Sequence, residues 1–292
     1  MMLAPYERLL QKANGLLRLI RPELPLAAAL CVVIGEVLAL GTLPPLRAAV
    51  LGALCGFFLS ASAMASNDYF DLEVDRINAP ERPLPAGLVS TTDAIILTIV
   101  AGLAGLAAAW ALDPAAFVAG VIVWGIGFLY NWRLKAAGLW GNLMVSTSVA
   151  ATFLMGGLGV GRLWSGTVWL FSLIAFTFDL AEEIAGDAMD AEGDRKRGSR
   201  SIALTQGRET ALRISGSLFI LVILLTLVPI VFGALNLHTL VIIFLTDGLV
   251  LFFLRRMLKS RTPAEGRSGM RGMYLSASLG FLAFLIGLVV MR

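Results

Sequence analysis

Asp68, Asp71 and Asp75 stand three and then four residues apart in NDYFDLEVDRINAPERPLPAG (67–87), and Asp187, Asp190 and Asp194 repeat that spacing in DAMDAEGDRKRGSRSIALTQG (187–207). Each acid of the second set lies 119 residues after its counterpart, and an Arg, Arg76 or Arg195, follows the last Asp in both. Residues at i, i+3 and i+7 share one face of a helix, so each set is expected to project a stripe of three carboxylates. Carboxylates this close repel one another and raise each other's proton affinity; bound dications remove the conflict. An all-oxygen donor set without His or Cys favours a hard ion, and Mg2+ is commonly held by a few carboxylates plus substrate phosphates. The expected metal ligands are Asn67, Asp68, Asp71, Asp75, Asp187, Asp190 and Asp194, with a diphosphate gripped through the ions and its apolar tail lying among helices. The plainer alternative is a solvated helix end, which suits one acidic cluster better than two with matched spacing.

The elements that must carry these stripes are membrane helices. Of 292 residues 58% are hydrophobic and only 15% charged, with a mean hydropathy of +0.84, where a soluble domain has about a quarter charged residues. A bilayer core takes about 20 residues of helix. Nine apolar blocks fit, near 23–42, 47–69, 92–112, 114–131, 139–160, 164–187, 210–233, 238–258 and 272–291. With the N-terminus cytoplasmic, every one of the 23 basic residues except Arg47, Arg162 and Arg292 falls on the inner side, as basic residues do in cytoplasmic loops. The fold class expected is therefore all-α, a polytopic membrane protein of nine helices. The matched acids close the second and sixth spans, which implies two four-helix half-repeats, about 23–131 and 139–258, plus a ninth helix. The first twenty residues are amphipathic and read as an interfacial helix. Membrane orientation accounts for the net charge of +3 without nucleic acid. Cys31 and Cys55 lie inside apolar spans and read as packing residues.

Several residues accompany the stripes. Arg133 and Lys135, in YNWRLK at the inner end of the fourth span, are the expected diphosphate cations, Lys135 first; both also suit simple topology anchors. Arg21 either reaches the same mouth or fixes topology, and Arg82 and Arg195 either bind phosphate or pair with Asp. Tyr69 and Tyr130 offer aromatic faces to an allylic cation or pack at the interface. Glu183, four residues before Asp187, extends the stripe or accepts a proton. Glu36 and Asp247 interrupt spans and are read first as internally hydrogen-bonded. Trp132, Trp140, Trp164 and Trp169 read as belt anchors, and the single histidine, His238, is given no role.

At Asn67, Asp68, Asp71 and Asp75 (N-D-x-x-D-x-x-x-D) and at Asp187, Asp190 and Asp194, the chain resembles the UbiA superfamily of intramembrane prenyltransferases. Within it, the two stretches look most like the digeranylgeranylglyceryl phosphate synthases of archaeal ether-lipid synthesis. The resemblance implies nine helices around a central cavity, required Mg2+, and a basic residue in the loop that holds Lys135. It implies transfer of an isoprenyl group from its diphosphate, geranylgeranyl diphosphate for these synthases, to geranylgeranylglyceryl phosphate. Asp71, Asp75, Asp190, Asp194 and Lys135 would carry catalysis, and Asn67, Arg21, Arg82, Arg133, Arg195, Tyr69 and Tyr130 would line the substrate. The site would open to the cytoplasmic side of the cell membrane. Two alternatives stay open: an aromatic acceptor of the 4-hydroxybenzoate type, and a secondary transporter using Glu36 and Asp247 as proton carriers. The Asp-Gly-x-x-Ala-Arg run of CDP-alcohol phosphotransferases is absent.

Overall fold

The computed structural model describes residues 5–196, 198–231 and 237–290, with side chains at 5, 8, 78, 192–197, 230, 231 and 288–290 outside the description. These residues are helical between short connections, with no strand among them. In order the helices are α1 (Pro5–Ile20), α2 (Glu23–Leu40), α3 (Leu46–Phe70), α4 (Leu72–Asn78), α5 (Thr91–Leu112), α6 (Pro114–Leu129), α7 (Leu139–Gly159), α8 (Gly166–Lys196), α9 (Ile202–Gln206), α10 (Arg208–Thr226), α11 (Val228–Val231), α12 (Leu237–Leu258) and α13 (Pro263–Val290). A π-turn, Tyr130–Leu134, follows α6.

Eight helices among the described residues are long and apolar enough to cross a membrane. The sixth expected span falls on α8, whose 31 residues would reach ~46 Å. It stands outside those eight because its middle carries Asp179, Glu182 and Glu183. Four boundaries differ clearly from the sequence reading, the first being the end of the sixth span, which α8 carries to Lys196 rather than 187. The seventh span ends early at Thr226, just before the Val228-Pro229 pair, where a proline lacks the N–H a continuous helix needs. The fourth ends in the π-turn rather than a helix end. The last helix starts at Pro263, a residue favoured in the first helical turn.

The chain forms two compact units. In the first, α3 packs against α2 and α5, with α1 and α6 alongside and the second half of α7, from Ala151, completing it. Its helix ends are written in the sequence. Ser90 and Asp93 form a reciprocal capping box on α5, while Asp113 caps α6 ahead of Pro114; such caps contribute about 1 kcal/mol each. The amphipathic α1 does more than lie on a surface. Its Leu19 is fully buried against Ala65, Leu84, Val89 and Ala94, Lys12 sits 2.7 Å from Asp93, and Arg18 donates to the Glu81 carbonyl at 2.9 Å. Without a hydrophobic drive between helices in lipid, small residues allow close packing. Gly35 and Gly156 do so here: a Cβ on Gly35 would lie 2.4 Å from the Phe153 carbonyl, and one on Gly156 2.1 Å from that of Val32.

The second unit contains the first half of α7, most of α8, and everything from α9 onward. Its core joins Ile184, Leu212, Phe219, Leu254, Met257 and Met273, and buried Ser215 donates to the Ala181 carbonyl at 2.7 Å.

The Gly156 contact is backbone, which cannot rotate away. Gly156→Ala should therefore cost about 1–3 kcal/mol, read as a lower melting temperature in detergent, whereas Gly127→Ala, whose Cβ would meet nothing closer than 3.9 Å, should leave it within a degree or two of wild type, as roughly neutral substitutions do.

Candidate active site

The first acidic row rides on a junction, not on one unbroken helix as expected. α3 stops at Phe70 and α4 starts at Leu72, with Asp71 between them at φ −87°, ψ −1°. The turn stays helical enough that Asp71 N–H bonds the Asn67 carbonyl at 2.9 Å and Asp75 N–H that of Asp71 at 2.8 Å. The stripe survives the junction, but its members differ: Asp68 and Asp75 are 1% and 2% exposed, while Asp71 is half-buried.

Burying two carboxylates requires countercharge, and two arginines supply it. Arg21 binds Asp68; Arg82 lies 2.5 Å from Asp75 Oδ2 and 3.7 Å from Asp68 Oδ1. Arg21 is thus a partner of the row and not only a topology residue, and it is held there in the left-handed region at φ +48°, a conformation that costs a non-glycine residue about 1 kcal/mol or more. For Arg82, the choice left open by the sequence falls on pairing with Asp in this structure. Burial alone would lower its pKa, but the Asp75 hydrogen bond and the charges of Asp75, Asp68 and Asp71 raise it instead. Asp68 Oδ2 is buried and has no hydrogen-bond partner. Asn67 is oriented by its Nδ2, which donates to Asn131 Oδ1 at 3.1 Å, and buried Asn131 is held in turn by the Ala63 carbonyl and Ser66 Oγ. Tyr69 is 36% exposed and edge-on to Phe70, the packing alternative of its two readings.

The second row lies on α8, beside the first half of α7. Asn142 and Ser146, one turn apart on α7, donate to Asp187 Oδ2 at 2.9 Å and to Asp179 Oδ2 at 2.8 Å. Asp190 is exposed and paired with Arg267 of α13. Asp194 and Arg195 continue the helix, but their side chains lie outside the described residues. Lys135 lies within electrostatic reach of Glu183. Its loop is sewn down: Arg200 N–H bonds the Ala136 carbonyl at 3.1 Å. Gly138, at φ +61°, leaves no room for a Cβ, which would fall 2.1 Å from the Arg200 carbonyl. Tyr130 and Arg133 sit on the π-turn just before it.

Among the described residues no three Asp, Glu, His or Cys side chains converge as a ready-made metal cage. The donors present nevertheless fit a hard dication: every one is oxygen, Asp68 Oδ2 is an orphaned acceptor, and such ions are completed by water and substrate phosphate. The intramembrane acids divide. Asp247 accepts from Thr226 at 2.8 Å, as the internal role predicts; Glu36 is fully buried with neither oxygen hydrogen-bonded, which corrects that reading for it. Sequence reasoning passed over Asn131, Asn142, Ser146 and Arg267. Only Asn131, inside YNWRLK, had a signal, as an amide in a loop already singled out.

Residues 28–285 match the UbiA prenyltransferase family. The chain belongs to that family. UbiA relatives cover it almost end to end: the digeranylgeranylglyceryl phosphate synthase of Methanopyrus kandleri is 34% identical over 94% of this chain and 98% of its own length, and that of Thermococcus kodakarensis 31% over 95% and 99%. A solved structure from work on digeranylgeranylglyceryl phosphate synthase in membranes shares 25% identity and a TM-score of 0.81, covering 95% of this chain and 99% of that one. A UbiA homolog from Archaeoglobus fulgidus, solved with DMAPP and Mg2+, shares the fold at a TM-score of 0.67 and 23% identity, over 92% of this chain and 99% of that one. This UbiA protein is accordingly an integral membrane prenyltransferase.

Removing Arg82 strands Asp75 and weakens the hold on Asp68. We expect Arg82→Ala to lower stability by roughly 1–3 kcal/mol, and Arg82→Ala combined with Asp75→Asn to recover at least half of the loss in the same melting assay.

Proposed function

We propose that the protein transfers a geranylgeranyl group from geranylgeranyl diphosphate to geranylgeranylglyceryl phosphate, with Mg2+, at a site opening to the cytoplasm. Near full-length likeness to digeranylgeranylglyceryl phosphate synthases carries this reading. The mode of action rests on the buried Asp68–Asp75 pair with its two arginines. In this proposal nine spans, including α8, form two half-repeats plus α13 around a central cavity, with the N-terminus inside, and both carboxylate rows serve one donor.

When bound, Mg2+ neutralises charge on the leaving diphosphate. The chain's residues do the rest. Asp71 and Asp190, each the most exposed described member of its row, would hold the ions together with Asp68, Asp75, Asp187 and Asp194. Arg21 and Arg82, now paired with Asp68 and Asp75, would with Lys135 and Arg133 be the cations that hold phosphate oxygens. The C–O bond between C1 of the donor and its diphosphate breaks, the acceptor's glycerol oxygen bonds C1, and the hydroxyl proton passes to the departing diphosphate. Apolar helix walls keep water from the allylic cation.

The experiment is transfer by purified protein from geranylgeranyl diphosphate, with Mg2+ or EDTA, to geranylgeranylglyceryl phosphate or to 4-hydroxybenzoate. Product should form only with Mg2+ and the glyceryl phosphate; preference for 4-hydroxybenzoate would overturn the acceptor. Asp71→Ala and Asp190→Ala should each reduce turnover by ~10^3 or more while melting near wild type, because Asp190 is exposed and Asp71 only half-buried.

A further inference from the structure

Two arginines serve the turn between α12 and α13, one bound to Ser260 and one on the first turns of α13. Arg208, the first residue of α10, donates to the Ser260 carbonyl at 3.1 Å and to Ser260 Oγ at 2.8 Å, with Met189 Sδ at 3.6 Å. It ties α8, α10 and this turn together. Gly266 makes the closure possible, since a Cβ there would lie 2.2 Å from Met189 Sδ and 3.2 Å from Ser260 Oγ. The next residue, Arg267, reaches Asp190 with its side chain 55% exposed.

The charges around this turn do not balance. Arg208 forms no ion pair among the described residues, and its Nε–H is buried without a partner. Glu265, the nearest acid on the turn, is engaged as a cap by the Arg261 and Thr262 N–H groups at 2.8 and 3.4 Å. Glu209 pairs with Arg213 at 2.5 Å. Asp190 is therefore the one described carboxylate facing Arg267, and under the proposed function it is a metal ligand. Were Asp190 to hold a dication, the exposed Arg267 guanidinium would lose its carboxylate, while the Glu265 charge is already shared between Arg261 and Arg208. The turn stands at the junction of two membrane-spanning helices, the level where lipid headgroups lie.

We propose that Arg267 binds the phosphate of the acceptor lipid, with Arg208 as the positioning residue that fixes its turn. A planar guanidinium matches phosphate oxygens in a paired geometry. The donor's diphosphate has its own countercharges, whereas the acceptor's monoester needs one near the membrane surface. This inference rests on the proposed function and names the group that distinguishes a glyceryl phosphate from an uncharged acceptor.

Kinetics with Arg267→Gln test it. The KM for geranylgeranylglyceryl phosphate should rise about tenfold or more, the Kd for geranylgeranyl diphosphate should stay within about twofold, and Arg267→Lys should recover part of the loss because it keeps the charge without the fork. Glycerol 1-phosphate should compete with the acceptor on wild type and fail to do so on Arg267→Gln, with inorganic phosphate competing more weakly. Independently of turnover and of any variant, acceptor affinity of wild type should tighten when Mg2+ is added, because an Asp190 engaged as a ligand would no longer pair with Arg267. An unchanged acceptor KM in Arg267→Gln, a donor Kd that weakens in step, or a Mg2+-indifferent acceptor affinity would each overturn the assignment. If wild type ignores the phosphorylated acceptor altogether, the proposed function falls first; if wild type uses it and Arg267→Gln behaves identically, only this inference falls.

Discussion

A carboxylate taken out of water at the end of a membrane helix must find positive charge or give up its own. The cost of an unpaired buried ion is several kcal/mol even after the surroundings relax, so Asp68 and Asp75 dictate where Arg21 and Arg82 go. Those two arginines in turn explain features that otherwise look unrelated. Arg21 adopts a left-handed backbone at the α1–α2 corner, and the segment from Ala79 to Val89 folds back in tight turns that bring Arg82 over the α3–α4 junction. The amphipathic α1 then docks on α3 and α5, holding that corner in place.

The second unit meets the same constraint by different means. Its acids lie along α8 and are satisfied one at a time: Asp179 by a hydroxyl, Asp187 by an amide, Asp190 by an arginine. Neutral donors stabilise a carboxylate less than a guanidinium does, and Asp179 and Asp187 are correspondingly less buried than Asp68 and Asp75, while Asp190 with its arginine lies exposed.

Much of this was legible in the sequence, because its physics is local or one-dimensional. Span length against bilayer thickness, capping residues before α5 and α6, and the repeated Asp spacing all act within a few residues of themselves. The junction at Asp71 was not legible, since Asp71 N–H and Asp75 N–H keep helical bonds and no proline or glycine marks the change before Asn78. Arg267 was hidden for another reason. It stands 77 residues from Asp190 among many basic residues that topology alone would explain. Asn142 and Ser146 read as two small polar residues in an apolar span until α7 is laid beside α8. Glu36 departs from the rule that buried polar groups are hydrogen-bonded: neither oxygen has a partner, and its Oε1 lies against Gly52, where a Cβ would come within 2.4 Å of it.

The π-turn at Tyr130–Leu134 has a bearing on how such enzymes are redesigned. One extra residue per turn rotates everything after it by about 100° relative to a continuous α-helix. A helical wheel drawn from Pro114 through Lys135 therefore assigns Arg133 and Lys135 to the wrong faces, although it places the residues before Tyr130 correctly. Chimeras that graft this loop between relatives will keep their cations aimed as in the parent only if the wide turn travels with the graft, together with the glycine at 138 that lets the loop lie flat on Arg200.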